Sequence, residues 1–245
     1  MTQEPIDLLK KLEFFQVLSP SSKEKFLSQI SLITFDLGQQ IAVPEVISGR
    51  VLILLDGQVR LIGDDAGRLH SFGKFEIGSV LGAASLLCGV ALDNLIASSS
   101  GLAASISDEL LAEFYANDSS FRNWCDNQLW PSEIIHVSKS IQQRNAKSGT
   151  RSIDLIELAL QKAQRVPLNT ESIQSAIADK RQIFFASAWG DNTPGAELEN
   201  NSVPPESHPF AVRLISLPSS LVDQILSNQQ QSPKNQSSDN VSDTL

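Results

Sequence analysis

The sequence of 245 residues has no surplus of positive charge. Lys and Arg total 19 against 28 Asp and Glu, a net charge of −9. The deficit is even: residues 1–150 hold 12 basic and 17 acidic residues, net −5, and residues 151–245 hold 7 and 11, net −4. A chain that is negative in both halves repels phosphate backbones and offers nucleic acid no basic face. Cysteine is nearly missing as well. Cys88 and Cys125 are too few and too far apart for a disulfide framework or a metal-ligand spacing, and sparse thiols fit a reducing cytosol. No long apolar run occurs. The most apolar stretch, Val80 to Leu92, is broken by Gly82, Ser85 and Gly89 and stops at Asp93, short of the roughly 20 residues a spanning helix needs. The N-terminus has no apolar run ahead of a small-residue cleavage site, so no secretory signal is expected. His70, His136 and His208 have no partners at metal spacing, no GxSxG or phosphate-loop motif is present, and Asp64–Asp65 reads as an exposed turn. No catalytic residues, cofactor or metal are therefore expected. The reading is a soluble, cytoplasmic protein that is not an enzyme.

What is present is a change of period along the chain. Ile6 to Leu12 and Lys23 to Ile30 space their apolar residues as helices do, the second started by Ser19-Pro20-Ser21-Ser22. From Ser31 the pattern turns to short β-rich runs punctuated by glycine. Leu32 to Leu37 ends at Gly38, and Ile41 to Val43 ends at Pro44. Arg50 to Leu55 is followed by the Asp56-Gly57 turn signal and a returning strand, Gln58 to Ile62. Leu69 to Phe72 and Phe75 to Ile77 read as further short strands, and Leu95 to Ser107 as one or two more around Gly101. Helices are then expected from Ser107 as N-cap through Tyr115, from Phe121 to Leu129 with Asp118 opening it, and from Ser132 to Ile141. Trp124 and Trp130 should pack these helices onto the strands.

Beyond Gln142 the signals thin out. Ile153 to Gln164 reads as a helix, and a second runs from Thr170 as N-cap to Lys180. Ile183 to Ala186 and Phe210 to Leu217 read as strands, the latter leading into a short helix to Leu226. Asp191 to Pro209 reads as a polar linker. Residues 227–245 are Gln, Ser, Asn and Asp with little to bury, and are expected to be disordered.

The order of helix, glycine-punctuated strands and helices resembles the cyclic-nucleotide-binding domain of bacterial catabolite-activator-type regulators and nucleotide-gated channels. Four segments carry the resemblance: Leu12 to Leu18 (LEFFQVL) before the Ser-Pro helix start, Phe35 to Ile41, Arg50 to Arg60 (RVLILLDGQVR), and Ile77 to Leu87. The last lies where that family has its phosphate-binding cassette. The resemblance covers about residues 6–140. It implies a mainly β, α+β fold: an antiparallel β-roll or jelly roll with N- and C-terminal helices. The expected organisation is that roll over 1–142, a small mixed α/β extension or linker over 143–226, and the tail.

The resemblance also implies a ligand pocket, formed here by Gly78, Leu81, Gly82, Ala83, Ala84 and Leu92. In the family, backbone amides at a short helix hold the cyclic phosphate, a glutamate takes the ribose hydroxyl, and an arginine pairs with the phosphate. Gly78 and Gly82 are kept. The glutamate position falls on Ala83 and the arginine position near Leu92, with no basic residue between Lys74 and Arg122. A charge-assisted bond is worth about 1.5–3 kcal/mol, so losing both partners costs several powers of ten in affinity. The pocket is thus expected to be degenerate, filled by its own apolar side chains, and not to hold cyclic AMP or cyclic GMP. A ligand-responsive module holding a nucleotide or other anion on the same amides is the alternative. No basic recognition helix follows the roll, Lys180–Arg181 being the one basic pair there, so DNA binding is not expected. Phe210 to Leu226 resembles the linker behind such domains in bacterial peptidase-containing ATP-binding-cassette exporters. That resemblance implies a fused effector or protein partner at the cytoplasmic face of a membrane, without direct insertion.

Overall fold

The computed structural model describes residues 3–65, 68–144, 153–188, 190, 192–199 and 210–227. Eight strands form two four-stranded antiparallel sheets. One has the order β1 (Ser31–Phe35), β8 (Gly101–Ser107), β3 (Arg50–Asp56), β6 (Val80–Leu81). The other runs β2 (Gln40–Ala42), β7 (Leu95–Ala97), β4 (Val59–Asp65), β5 (Arg68–Phe75). Along these eight strands the chain changes sheet at every connection except β4 to β5. This is the antiparallel β-roll flanked by helices that the sequence led us to expect.

The pairing corrects the expected return of Arg50 to Arg60 and the expected split of Leu69 to Ile77. Arg50 to Arg60 is not a hairpin: β3 pairs with β8 (Val51 opposite Ile106) and with β6, while β4 pairs with β5 and β7. Phe35 to Ile41 is likewise a corner, with β1 on β8 and β2 on β7. The turn at Gly57 has φ +84°, and a Cβ there would lie 2.6 Å from the Ser100 carbonyl oxygen. Only glycine fits, but the same glycine serves a sheet-to-sheet corner as well as a hairpin. Leu69 to Ile77 is also one strand to Phe75, not two. The register slips between Leu61 and Ile62, leaving Phe72 as the extra residue of a bulge.

The alternation of β3 explains the layers. Leu52 and Leu54 point between the sheets, where they meet Phe35, Val59, Leu61, Phe72, Leu81 and Leu95. Val51, Ile53 and Leu55 point the other way, as the two-residue period of a strand requires. There they meet α1 (Gln3–Leu9), α2 (Glu13–Gln16), α3 (Pro20–Gln29), α5 (Asp108–Asn117) and α6 (Ser119–Asn127). Phe14, Phe26, Phe114 and Phe121 interlock in that outer layer, with Phe14 and Phe121 edge to face at 5.3 Å. Trp130 is buried in it and Trp124 packs against it. The expected caps form: the Ser107 hydroxyl accepts the Leu110 N–H at 3.2 Å, and the Asp118 carboxylate accepts the Phe121 N–H at 3.2 Å. α6 stops at Asn127 rather than Leu129: Gln128 is already extended (φ −69°, ψ 141°), two residues ahead of Trp130, which precedes Pro131 and is extended as well.

The rest of the described chain packs on α7 (Pro131–Gln143). It comprises α8 (Ile153–Lys162), β9 (Gln164–Val166), α9 (Thr170–Ala178), β10 (Arg181–Phe185), β11 (Leu214–Pro218) and α10 (Ser219–Ser227). Its three strands form an antiparallel sheet ordered β10-β11-β9. Ile135 of α7 faces the roll interior, while Ile134, Val137 and Ile141 join Phe184, Ile215, Leu217, Leu221 and Ile225 in a separate core. The N-cap of α9 is Asn169, whose side chain accepts the Ser172 N–H at 2.8 Å, one residue before the expected Thr170. β9 was not expected. Gln164 opens a strand because it pairs with Ser216, a partner fifty-two positions away that local periodicity does not reveal. Within the expected linker, Glu197 bridges to Phe184 and Leu198 is buried. Trp189, His208 and residues 228–245 of the expected tail lie outside the described residues.

Candidate ligand cassette

Of the six candidate pocket residues, Gly78 lies in the turn before β6, Leu81 to Ala84 run from β6 into α4 (Ala83–Cys88), and Leu92 is on the loop beyond. The Gly78 N–H donates to the Leu54 carbonyl at 2.8 Å, tying the turn to β3. Leu81 pairs with Leu52 and points between the sheets. Gly82 caps α4 with φ +86°, and a Cβ there would lie 2.9 Å from the Arg50 carbonyl oxygen, so β3 passes too close for any other residue. Ala83 and Ala84 are 1% and 3% exposed and belong to the outer core with Val51 and Ile53. Leu92 is half-buried.

Sequence reading missed the residue that organises this loop. Asp93, 5% exposed, reaches back to the first turn of α4. Its Oδ2 accepts the Ser85 hydroxyl at 2.7 Å and the Ser85 N–H at 3.3 Å, and its Oδ1 accepts the Ser132 hydroxyl of α7 in a very close contact. The Ser85 Oγ in turn accepts the N–H groups of Leu92 at 2.9 Å and Asp93 at 3.1 Å. An acid that ends an apolar run, eight residues after a serine, was the available signal. A helix start carries unsatisfied N–H groups and a partial positive charge, and it favours an anion. Here the chain supplies that anion itself.

The far end of α4 meets the first turn of α7, where Cys88 Sγ donates to Glu133 Oε1 at 3.2 Å. Cys88 and Cys125 are both buried. Burial above all, and for Cys88 also the neighbouring Glu133, raises both thiols above their ordinary range, so neither is poised as a thiolate. His70 and Glu157 form an exposed pair at 3.3 Å. Burial, and then Lys139, lowers the pKa of His136. Among the described residues no group of three or more His, Cys, Asp and Glu side chains is placed to hold a metal, and no helix is long and apolar enough to cross a membrane. A groove of about 760 Å³ opens between α1 and the β3–β8 pair, lined by Glu4, Asp7, Leu8, Lys11, Asp56 and Leu102 among others; it contains none of the cassette residues.

The class that this fold defines is an antiparallel β-roll with flanking helices. No protein-family model matches the chain, and no curated protein matches it. Solved structures similar to it include the regulatory subunit of a cAMP-independent protein kinase A from Trypanosoma cruzi bound to guanosine. That pair has 19% identity and a TM-score of 0.40, over 50% of this chain and 47% of that one. Another is a cyclic nucleotide-binding domain from Methylobacillus flagellatus KT, with 19% identity and a TM-score of 0.41, over 49% and 71%. A third is a putative cyclic nucleotide-binding protein from Geobacter metallireducens GS-15, with 18% identity and a TM-score of 0.42, over 49% and 87%. The chain spans about half the length of the first.

Proposed function

We propose that this protein is a non-enzymatic regulatory or interaction module whose cassette is closed by its own Asp93 and does not take cyclic AMP or cyclic GMP. The observation that carries the reading is the Asp93 carboxylate on the Ser85 N–H and hydroxyl. A second anion brought to the start of α4 meets a fixed negative charge and donors already in use. Two further facts support it. Ala83 and Leu92 stand where the resembled family has its glutamate and arginine, and the chain is negative throughout.

The module then acts through a protein partner or a fused effector in the cytoplasm. The segment resembling the exporter linker, Phe210 to Leu226, includes β11 and most of α10. On that resemblance the chain is the N-terminal regulatory part of an ATP-binding-cassette exporter. Isothermal titration with cyclic AMP and cyclic GMP tests the central point. No heat of binding up to millimolar ligand is expected. Micromolar binding overturns the reading and leaves the alternative, a second-messenger sensor working through the glycines kept at 78 and 82.

A further inference from the structure

One buried carboxylate is shared by three parts of the chain. Glu133, in the first turn of α7, is 0% exposed. Its Oε1 accepts a very close hydrogen bond from Arg213 Nε and another from Cys88 Sγ at 3.2 Å; its Oε2 accepts the Trp130 N–H at 3.4 Å. Arg213, just before β11, is 1% exposed. Its other two nitrogens donate to α6 and the residue beyond it: Nη1 to the Cys125 carbonyl at 3.0 Å and Nη2 to the Gln128 carbonyl at 2.7 Å. Its own N–H donates to the Ser187 hydroxyl at 2.9 Å, and the next residue, Ala188, donates its N–H to the Cys88 carbonyl at 3.0 Å.

The cassette helix is therefore held at both ends by adjacent residues of one helix. Its start is tied through Asp93 to Ser132, and its end through Cys88 to Glu133. Glu133 is in turn tied to Arg213, which belongs to the C-terminal part of the chain. A fully buried pair of this kind has two arrangements. Either it is engaged, with Nε, Nη1 and Nη2 of Arg213 all bonded, or it is parted with both charges hydrated, because one charge left alone in the interior is strongly disfavoured.

We propose that the Arg213–Glu133 pair is a latch by which the C-terminal lobe fixes the cassette helix α4 on the roll. While it is engaged, α4, the first turn of α7 and residues 187–188 move as one body. When it parts, the lobe and α4 loosen together, and a partner pulling on the lobe is felt at the cassette. This rests on reading the roll as a regulatory module.

Hydrogen exchange read by mass spectrometry on the full chain tests the latch, with Arg213→Met, Arg213→Lys and the double variant Glu133→Gln/Arg213→Met. In Arg213→Met, exchange in 83–93, 131–135 and 181–188 should speed up about a hundredfold, the scale set by stranding a buried charge. Strands β3 and β8 should keep their wild-type protection. Arg213→Lys, which keeps the charge and loses the fork, should show the same pattern to a smaller degree. The double variant, with no charge stranded, should return α4 towards wild type. The latch is overturned if α4 exchange is unchanged in the Lys variant, or if it rises only in step with β3 and β8. The cyclic-nucleotide titration is a separate reading on wild type, so loss of the latch alone leaves the closed cassette standing.

Discussion

Asp93 and Ser85 are locked face to face at 2.7 Å, Oδ2 to Oγ, with the Ser85 hydroxyl also gathering the N–H groups of residues 92 and 93. The loop after α4 is thereby folded back onto the start of that helix. Asp93→Ala should destabilise the protein by about 2–3 kcal/mol, because the Ser85 N–H and the Ser132 hydroxyl lose a charged acceptor in a buried place. Urea unfolding followed by circular dichroism reads this as a lower midpoint with an unchanged slope. A loss under half a kcal/mol would show that the carboxylate is not holding the loop.

Restoring the residues of the resembled family should not restore a site. Ala83 is 1% exposed against the outer core. A glutamate there either displaces its neighbours or buries a carboxylate, at a cost of about 2–4 kcal/mol. The pair Ala83→Glu and Leu92→Arg should therefore lower thermal stability and still give no heat with cyclic AMP. A variant that is stable and binds at micromolar ligand would mean that the cassette is merely stripped of its charges and not closed.

Lys180 has φ +57° at the end of α9 and is the one described non-glycine residue with a positive φ. Its carbonyl accepts both the N–H and the hydroxyl of Ser219, at 2.9 and 2.8 Å, which fixes the turn into β10. Left-handed backbone costs an ordinary residue about 1 kcal/mol, and glycine almost nothing. Lys180→Gly should thus raise stability by about 0.5–1 kcal/mol, read as a higher urea midpoint. A fall would show that the lysine side chain matters more than its backbone.

Asp118 ties two helix starts together. Besides capping α6, its Oδ2 accepts the Ser19 N–H at 2.7 Å. Burial pushes its pKa up, but the Ser19 N–H, the Ser22 hydroxyl and the Phe121 N–H outweigh burial and hold it below the ordinary 3.8. A group whose pKa is lower folded than unfolded adds stability above the unfolded value, and that stability is lost as pH falls through the folded value. The gap between wild type and Asp118→Asn should be level above about pH 5 and close as pH drops below about 4. Urea midpoints from pH 3 to 6 check this. A gap that stays constant to pH 3 would remove Asp118 from the acid response.

Much of the fold was legible from local signals. Ser107 and Asp118 announced their helices because a capping side chain acts within three residues. The strand character of Arg50 to Leu55 came from its β-branched and apolar composition. The partners of those strands were not legible. Asp56-Gly57 supplies the left-handed turn that either a hairpin or a corner needs, and only the packing of Leu52 and Leu54 against the opposite sheet selects the corner. Gln164 continues the helical period of residues 153–163 for the same reason, since its strand exists by pairing with Ser216.

At the cassette, the missing charges are legible from the residues alone: Ala83 and Leu92 carry none, and the net charge follows from composition. Tertiary structure decided what stands in their place. The reach of Asp93 back to Ser85, and of Arg213 to Glu133 across eighty residues, depends on where α7 lies, and α7 is set by two cores at once. Burial makes those contacts strong, and burial is a property of the assembled fold that no run of neighbouring residues contains.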